Sequence, residues 1–167
     1  MELYILRHGI AEPRELAGGK DDGERALTRE GERKMRRIAQ GMKALEYSFD
    51  LILTSPLVRA EQTAGIVASV LRLPKRVRIL PELSAGRRTR DLVEALREAA
   101  TSFERVLVVG HEPDLSSLIV RLVTGGANMS MTLKKGGLVK LIVTTLRPSR
   151  CAVLEWSAPP GQLARIR

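Results

Sequence analysis

Cysteine, aromatic residues and long apolar runs are scarce in this sequence, and each shortage excludes a class of protein. Cys151 is the single cysteine among 167 residues, which excludes an intrachain disulfide and is typical of a reducing compartment. Aromatic residues make up 3% of the chain, too few for the stacking surfaces of single-strand nucleic-acid binders. No apolar run approaches the roughly 18 residues of a membrane span. The apolar stretch at the start of the sequence is too short, and is followed too soon by charged residues, to be a signal peptide. We therefore expect a cytoplasmic protein without a membrane anchor.

Positive charge is in excess. Lysine and arginine total 28 against 19 acidic residues, for a formal net charge of +9. Such an excess could attract nucleic acid, an anionic membrane or a phosphorylated partner. Because the basic residues are scattered rather than gathered into a tail, we favour a generally basic surface over a dedicated nucleic-acid site.

Apolar strand candidates alternate with amphipathic helix candidates along the chain. The strand candidates are Leu3–Leu6, Leu51–Leu53, Val77–Leu80, Val106–Val109, Leu138–Thr145 and Cys151–Trp156. Helices are predicted after an N-cap at Thr28, with Met35, Ile38, Met42 and Leu45 on its apolar stripe, and from Leu57, around Leu92 and from Asp114. This alternation predicts one α/β domain over 1–167, with a mostly parallel central sheet flanked by helices.

Polar residues follow two of the predicted strands directly. The only two histidines, His8 and His111, come after the first strand and the strand at 106–109, each beside a glycine. Ligands of open α/β sheets bind beyond the carboxyl ends of the strands. Arg7 adjoins His8, and Arg59 opens the helix after the second strand. A guanidinium holds two phosphoryl oxygens at once, so these four side chains predict a phosphate site.

Four short motifs resemble the histidine phosphatase superfamily, which also contains the phosphoglycerate mutases. They are Arg7-His8-Gly9, the stretch from Ser55 to Ala64, Leu80-Pro81-Glu82-Leu83, and Gly110-His111-Glu112-Pro113. Their order and their spread over most of the chain make the resemblance specific. The short length and the lack of a large insertion are most similar to its SixA branch, the phosphohistidine phosphatases.

The resemblance implies a phosphoglycerate mutase-like fold and a phosphoryl transfer through His8 as nucleophile. Arg7, Arg59 and His111 would bind the phosphoryl oxygens, and no metal or cofactor is required. Glu82 is either the proton donor to the leaving group or a surface residue after Pro81. We expect Glu112 to favour the start of the following helix, and Ser55 and Gln62 to support the site from behind.

Several substrates are compatible with these residues. A short connection after Pro81 predicts an open site that suits a phosphohistidine on a signalling or phosphotransfer protein, approached along the loop 10–27 and Arg87, Arg88 and Arg90. Those loop and arginine residues could equally be plain solvated surface. The alternatives are a general phosphomonoesterase of small molecules with the same site, or a non-catalytic phosphate-binding module. A mutase would need a lid that this chain is too short to build. The partner protein and the oligomeric state stay open.

Overall fold

A computed structural model describes residues 1–13, 15, 21–127 and 129–166, and its centre is one six-stranded sheet. The strands are β1 Glu2–Arg7, β2 Leu51–Thr54, β3 Val77–Ile79, β4 Arg105–Gly110, β5 Leu138–Val143 and β6 Ala152–Ala158. They lie in the order β3-β2-β4-β1-β5-β6. The first four of these are mutually parallel, while β5 runs antiparallel to both of its neighbours. The predicted fold class is confirmed.

Helices cover both faces of the sheet. They are α1 Arg29–Ala44, α2 Val58–Val70, α3 Thr89–Ala100, α4 Asp114–Thr124 and α5 Pro160–Leu163. One apolar cluster packs α1, α2 and α5 against one face, and a second packs α3 and α4 against the other. Because β1, β2 and β4 are covered on both faces, their sequences are continuous apolar runs. Within the described part of the chain, no helix combines the length and apolar character needed to cross a bilayer.

The ends of α1 show how far local sequence determines an element. Thr28 caps the helix as predicted, since its hydroxyl accepts a hydrogen bond from the Gly31 N–H at 3.0 Å. Met35, Ile38 and Met42 are buried on its inner face, also as predicted. Leu45 was expected on the same apolar stripe, and that prediction is wrong. The helix ends at Ala44, and Leu45 is the C-cap with 41% of its surface exposed.

The strand register places three polar residues side by side at one edge of the sheet. His8 follows β1, Ser55 follows β2 and His111 follows β4, and β4 is the strand between the other two. The His8 N–H donates to the Gly110 carbonyl at 3.1 Å, and the Ser55 N–H donates to the Val109 carbonyl at 3.1 Å. These backbone bonds extend the ladders by one residue and fix the positions of all three side chains.

Candidate active site

His8 and His111 lie next to each other at the carboxyl ends of β1 and β4. Their ring centroids are 5.0 Å apart, and 6% and 3% of the two residues is exposed. The pairing of the two histidines therefore follows directly from the adjacency of their strands. The sequence predicted this proximity, and the fold provides it.

The hydrogen bond of His8 determines which ring nitrogen carries the proton. Its Nδ1 lies 2.7 Å from the Gly9 carbonyl oxygen, which can only accept. Nδ1 therefore carries the proton and Nε2 keeps a free lone pair. Burial, helped by the positive charges nearby, lowers the pKa of His8 to about 3. His8 is thus a neutral imidazole at physiological pH.

His111 is held by the Ser55 hydroxyl. Its Nε2 lies 2.8 Å from Ser55 Oγ, which also accepts a hydrogen bond from the Leu57 N–H at 3.2 Å. With that acceptor role filled, the hydroxyl can donate to Nε2, and the ring proton then sits on Nδ1. The Nδ1 atom is buried and has no hydrogen-bond partner among the described residues. Burial, with the Arg59 charge next, lowers the pKa of His111 to about 4.

Arg7 is anchored by the segment that precedes β5. Its Nη1 donates to the Leu133 carbonyl at 2.8 Å, whereas its buried Nε has no hydrogen-bond partner within the described part of the chain. Burial lowers the pKa of Arg7, and the nearby Glu112 carboxylate opposes that shift. The guanidinium remains a cation at any physiological pH.

Arg59 and Arg25 share one carboxylate, that of Asp22. Arg59 is 4% exposed and donates to the Asp22 backbone carbonyl at 2.6 Å and to its Oδ2 at 2.9 Å. Arg25 Nε donates to Asp22 Oδ1 at 2.9 Å. Asp22 and Arg25 were not singled out from the sequence beyond their place in the loop 10–27. Their spacing of three residues allows the ion pair between them, but no sequence signal indicates the contact of Asp22 with Arg59.

Thr63 and Gln62, both on α2, fasten the segments around His8. The Thr63 hydroxyl accepts from the Gly9 N–H at 3.1 Å and donates to the Arg59 carbonyl at 2.7 Å. Gln62 Oε1 accepts from the Leu27 N–H at 2.7 Å. The supporting positions expected for Gln62 and Ser55 are therefore observed, and Thr63 is an addition to them.

The two glutamates discussed from the sequence lie in different settings. Glu112 accepts hydrogen bonds from the Ser116 N–H at 3.2 Å and the Ser116 hydroxyl at 2.7 Å, so it binds the first turn of α4 as expected. Glu82 is half-buried on the 3₁₀ turn Pro81–Leu83. Among the described residues it makes no hydrogen bond or ion pair with either histidine or with Arg7 or Arg59. Its neighbour Leu83 packs at the end of β4, 3.5 Å from where a side chain at Gly110 would begin.

The predicted approach to the site is described only in part. Arg87, Arg88 and Arg90 are exposed where the chain enters α3. Gly86, just before them, donates its N–H to Asp114 Oδ2 at 2.7 Å, which places this loop beside the start of α4. Of the loop 10–27, residues 14 and 16–20 lie outside the described residues.

The assembled site places a neutral imidazole beside two arginine cations. His8 Nε2 has a lone pair, and His111, Arg59 and Arg7 all lie close enough to His8 to lower its pKa. The N–H groups of such side chains stabilise negative charge that develops on phosphoryl oxygens, because they are oriented before the reaction begins.

Comparison with known proteins places this chain in a family. A family model described as histidine phosphatase superfamily (branch 1) matches residues 3–86. The chain is 33% identical over 165 residues to the phosphohistidine phosphatase SixA of Escherichia coli, covering 98% of this chain and 96% of that protein. It is 37% identical over 146 residues to an uncharacterised protein of Picosynechococcus, covering 84% of each.

A solved structure of the protein histidine phosphatase SixA complexed with tungstate superposes with a TM-score of 0.83 at 26% identity, covering 98% of this chain and 99% of that one. The predicted enzyme class, a phosphatase, is confirmed by these relationships. On its motifs, its fold and its relatives, this chain belongs to the histidine phosphatase superfamily.

Proposed function

We propose that residues 1–167 form one catalytic domain, a metal-independent protein phosphohistidine phosphatase that works through a phosphohistidine at His8. The observation that carries the proposal is the pair of buried, neutral histidines 5.0 Å apart beside Arg7 and Arg59. The unpartnered His111 Nδ1 and Arg7 Nε, buried among the described residues, suit an oxyanion that would accept from both. The SixA structure similar to this chain holds tungstate, a tetrahedral oxyanion like phosphate.

The chemistry proceeds in two displacements. His8 Nε2 attacks phosphorus in line, a P–N bond forms, and the bond to the leaving group breaks. Water then attacks the phosphohistidine, the P–N bond breaks, inorganic phosphate leaves and His8 returns to its neutral form. Splitting one displacement into two in this way lowers each barrier.

Each cation has a separate task in this scheme. Arg7 and Arg59 hold equatorial oxygens throughout. His111 is neutral in the free enzyme, and a bound phosphoryl dianion favours its protonation, so it becomes a further cation when the substrate arrives. The arginines take the charge-neutralising role that a magnesium ion has in many phosphotransferases.

The chemistry of the leaving group favours a phosphohistidine over a phosphate ester as the substrate. An imidazole leaves readily from a P–N bond, so the reaction does not depend on a strong proton donor. This agrees with the position of Glu82, which makes no hydrogen bond or ion pair with the four site side chains among the described residues. We propose Glu82 as the donor for phosphate esters, whose leaving oxygen does need a proton. The similarity of this chain to the phosphohistidine phosphatase SixA supports the same substrate class.

The proposal is tested by comparing the wild type with His8→Ala, in EDTA, on two substrates. One is a histidine peptide phosphorylated with phosphoramidate, and the other is p-nitrophenyl phosphate. We expect the wild type to release phosphate faster from the peptide than from p-nitrophenyl phosphate. Release from the peptide should fall to background in His8→Ala. Arg147→Ala, a distant surface control, should keep the wild-type rate. A variant that keeps its rate would exclude His8 as nucleophile. A strong preference for small phosphate esters would instead favour the phosphomonoesterase alternative.

A further inference from the structure

The exposed face of α1 carries a row of basic residues that the catalytic site does not use. We define the basic stripe of α1 as Arg29, Arg33, Arg36, Arg37 and Lys43, all of which are exposed. At about 100° per residue they fall on one side of the helix, opposite the buried Met35 and Met42. At about 1.5 Å per residue the stripe is about 21 Å long.

The five side chains of the stripe lie in one row and lack counter-ions among the described residues. None of its five members makes an ion pair or a side-chain hydrogen bond within the described residues, and the Lys34–Glu30 pair at 3.8 Å lies at its edge. Elsewhere, carboxylates pair with Arg25, Arg59, Arg76, Arg97, Arg105 and Lys140, whereas Arg87, Arg88 and Arg90 are exposed and make no ion pair among the described residues. Part of the positive charge of the chain therefore lies along this helix face without a counter-ion among the described residues.

The stripe begins close to the segment that follows His8. The amino end of α1 touches this segment, since a side chain at Gly31 would meet the Ile10 carbonyl at 2.1 Å. A groove of about 260 Å³ between α1 and α2, lined in part by Arg36 and Gln62, continues the surface. Gln62 in turn accepts a hydrogen bond from the Leu27 N–H. The Leu27 side chain lies 3.2 Å from the position that a Cβ at Gly9 would occupy. A partner whose phosphohistidine enters the site can thus reach the stripe without crossing the molecule.

We infer that the basic stripe of α1 is the docking surface for an acidic face of the phosphoprotein substrate. The inference rests on the proposed function and specifies the partner by its charge. Unpaired cations in a row attract an acidic surface and speed its encounter, an effect that salt weakens. A protein is favoured over single-stranded nucleic acid because the stripe has no aromatic residue on which bases could stack.

The test uses two phosphohistidine peptides that differ only in a 12-residue tail, one containing six glutamates and the other six glutamines. An extended tail of this length spans about 40 Å and can reach along the stripe. We expect the wild type to hydrolyse the acidic peptide with a kcat/KM about tenfold higher at low salt, with the advantage fading as salt rises. Arg33→Glu/Arg36→Glu should remove that advantage and leave kcat/KM for p-nitrophenyl phosphate unchanged.

The matched control is Arg147→Glu/Arg150→Glu. It makes the same change of charge beyond the far end of β5, at the edge of the sheet away from the histidines, and should keep the advantage. Equal hydrolysis of both peptides by the wild type, or an equal loss in both double variants, would overturn the docking surface.

Failure of the proposed function has a different signature. It is p-nitrophenyl phosphate turnover with no release from either peptide, and it removes the substrate on which the inference rests. Fluorescence anisotropy with the unphosphorylated acidic peptide then reports on the surface alone, because the docking contact needs no phosphoryl group. Binding that is weakened only by Arg33→Glu/Arg36→Glu supports it. If the wild type binds duplex DNA but not the peptide, and Arg33→Glu/Arg36→Glu abolishes that binding, the surface is assigned to nucleic acid instead.

Discussion

At the scale of single residues, the Asp22 carboxylate lies among the cations of the site. Asp22 accepts hydrogen bonds from both Arg25 and Arg59, and its charge partly offsets their effect on the pKa of His111. In the proposed mechanism, a phosphoryl oxygen that binds Arg59 therefore meets a carboxylate already bound to that guanidinium. Asp22 thus orders Arg59 and, at the same time, opposes the approach of a second anion.

Asp22→Asn separates these two effects. Removing one negative charge near the site should strengthen tungstate binding about fivefold, the size expected for one partly screened charge at a few ångströms. Competitive inhibition of p-nitrophenyl phosphate hydrolysis measures it. Asp21→Asn is the matched control, because Asp21 caps the backbone of Gly23 without contacting Arg59. Weaker tungstate binding in Asp22→Asn would mean that the carboxylate acts mainly by holding Arg59 in place.

At the scale of elements, the amino end of α1 and the segment that follows His8 are in direct backbone contact. The amino end of α1 lies so close that a Cβ at Gly31 would sit 2.1 Å from the Ile10 carbonyl oxygen. The Thr28 N–H donates to the same oxygen at 2.9 Å, so the carbonyl is held and cannot move aside freely. The position of His8 therefore depends on a helix glycine more than twenty residues away.

We expect Gly31→Ala to lower the free energy of unfolding by about 1–3 kcal/mol or more, because an added methyl has no space and the backbone must shift. Activity should fall with it, since the shift reaches the segment after His8. Gly65→Ala on α2 is the control, because a Cβ there would meet no described atom within 4 Å beyond its own stretch of helix. At that position the higher helix propensity of alanine should stabilise the protein by about 0.5–1 kcal/mol. Urea unfolding measures both, and an equal effect in the two variants would contradict the close contact.

Sequence alone predicted the parts of the site that depend on strand order. His8 and His111 could be placed together because residues after adjacent parallel strands share one edge of the sheet. Asp22 and Arg25 could not, because their contacts depend on how an irregular loop folds back onto α2. The exposure of Leu45 was also missed, since apolar spacing continues past the point where α1 ends.

At the scale of the whole molecule, the candidate site lies at one end of the sheet and the apolar core lies on its two faces. One end carries the histidines and the start of the basic stripe of α1, while two apolar clusters above and below hold the strands in register. The same packing buries both rings and withholds water from them. Burial is what keeps the histidines neutral, so the neutral form that the proposed mechanism requires and the sensitivity of the fold to acid have a common cause.

That cause predicts how stability changes with pH. The unfolded chain protonates each histidine near its ordinary pKa of about 6.5, whereas in the folded protein burial lowers the pKa of His8 to about 3 and that of His111 to about 4. Between these values the unfolded state binds more protons, so acid lowers the free energy of unfolding by up to about 1.4 kcal/mol per pH unit for each histidine. At pH values well above about 6.5, where neither the folded nor the unfolded chain binds these protons, the two rings contribute no slope. Urea unfolding from about pH 7 to about pH 5, in a buffer free of phosphate, should show this slope, and His8→Gln/His111→Gln should flatten it. Because all carboxylates are common to both proteins, their titration cancels in the difference. Parallel pH profiles would mean that the two histidines take up protons in the folded state as readily as in the unfolded chain, and that the site is open to water rather than enclosed.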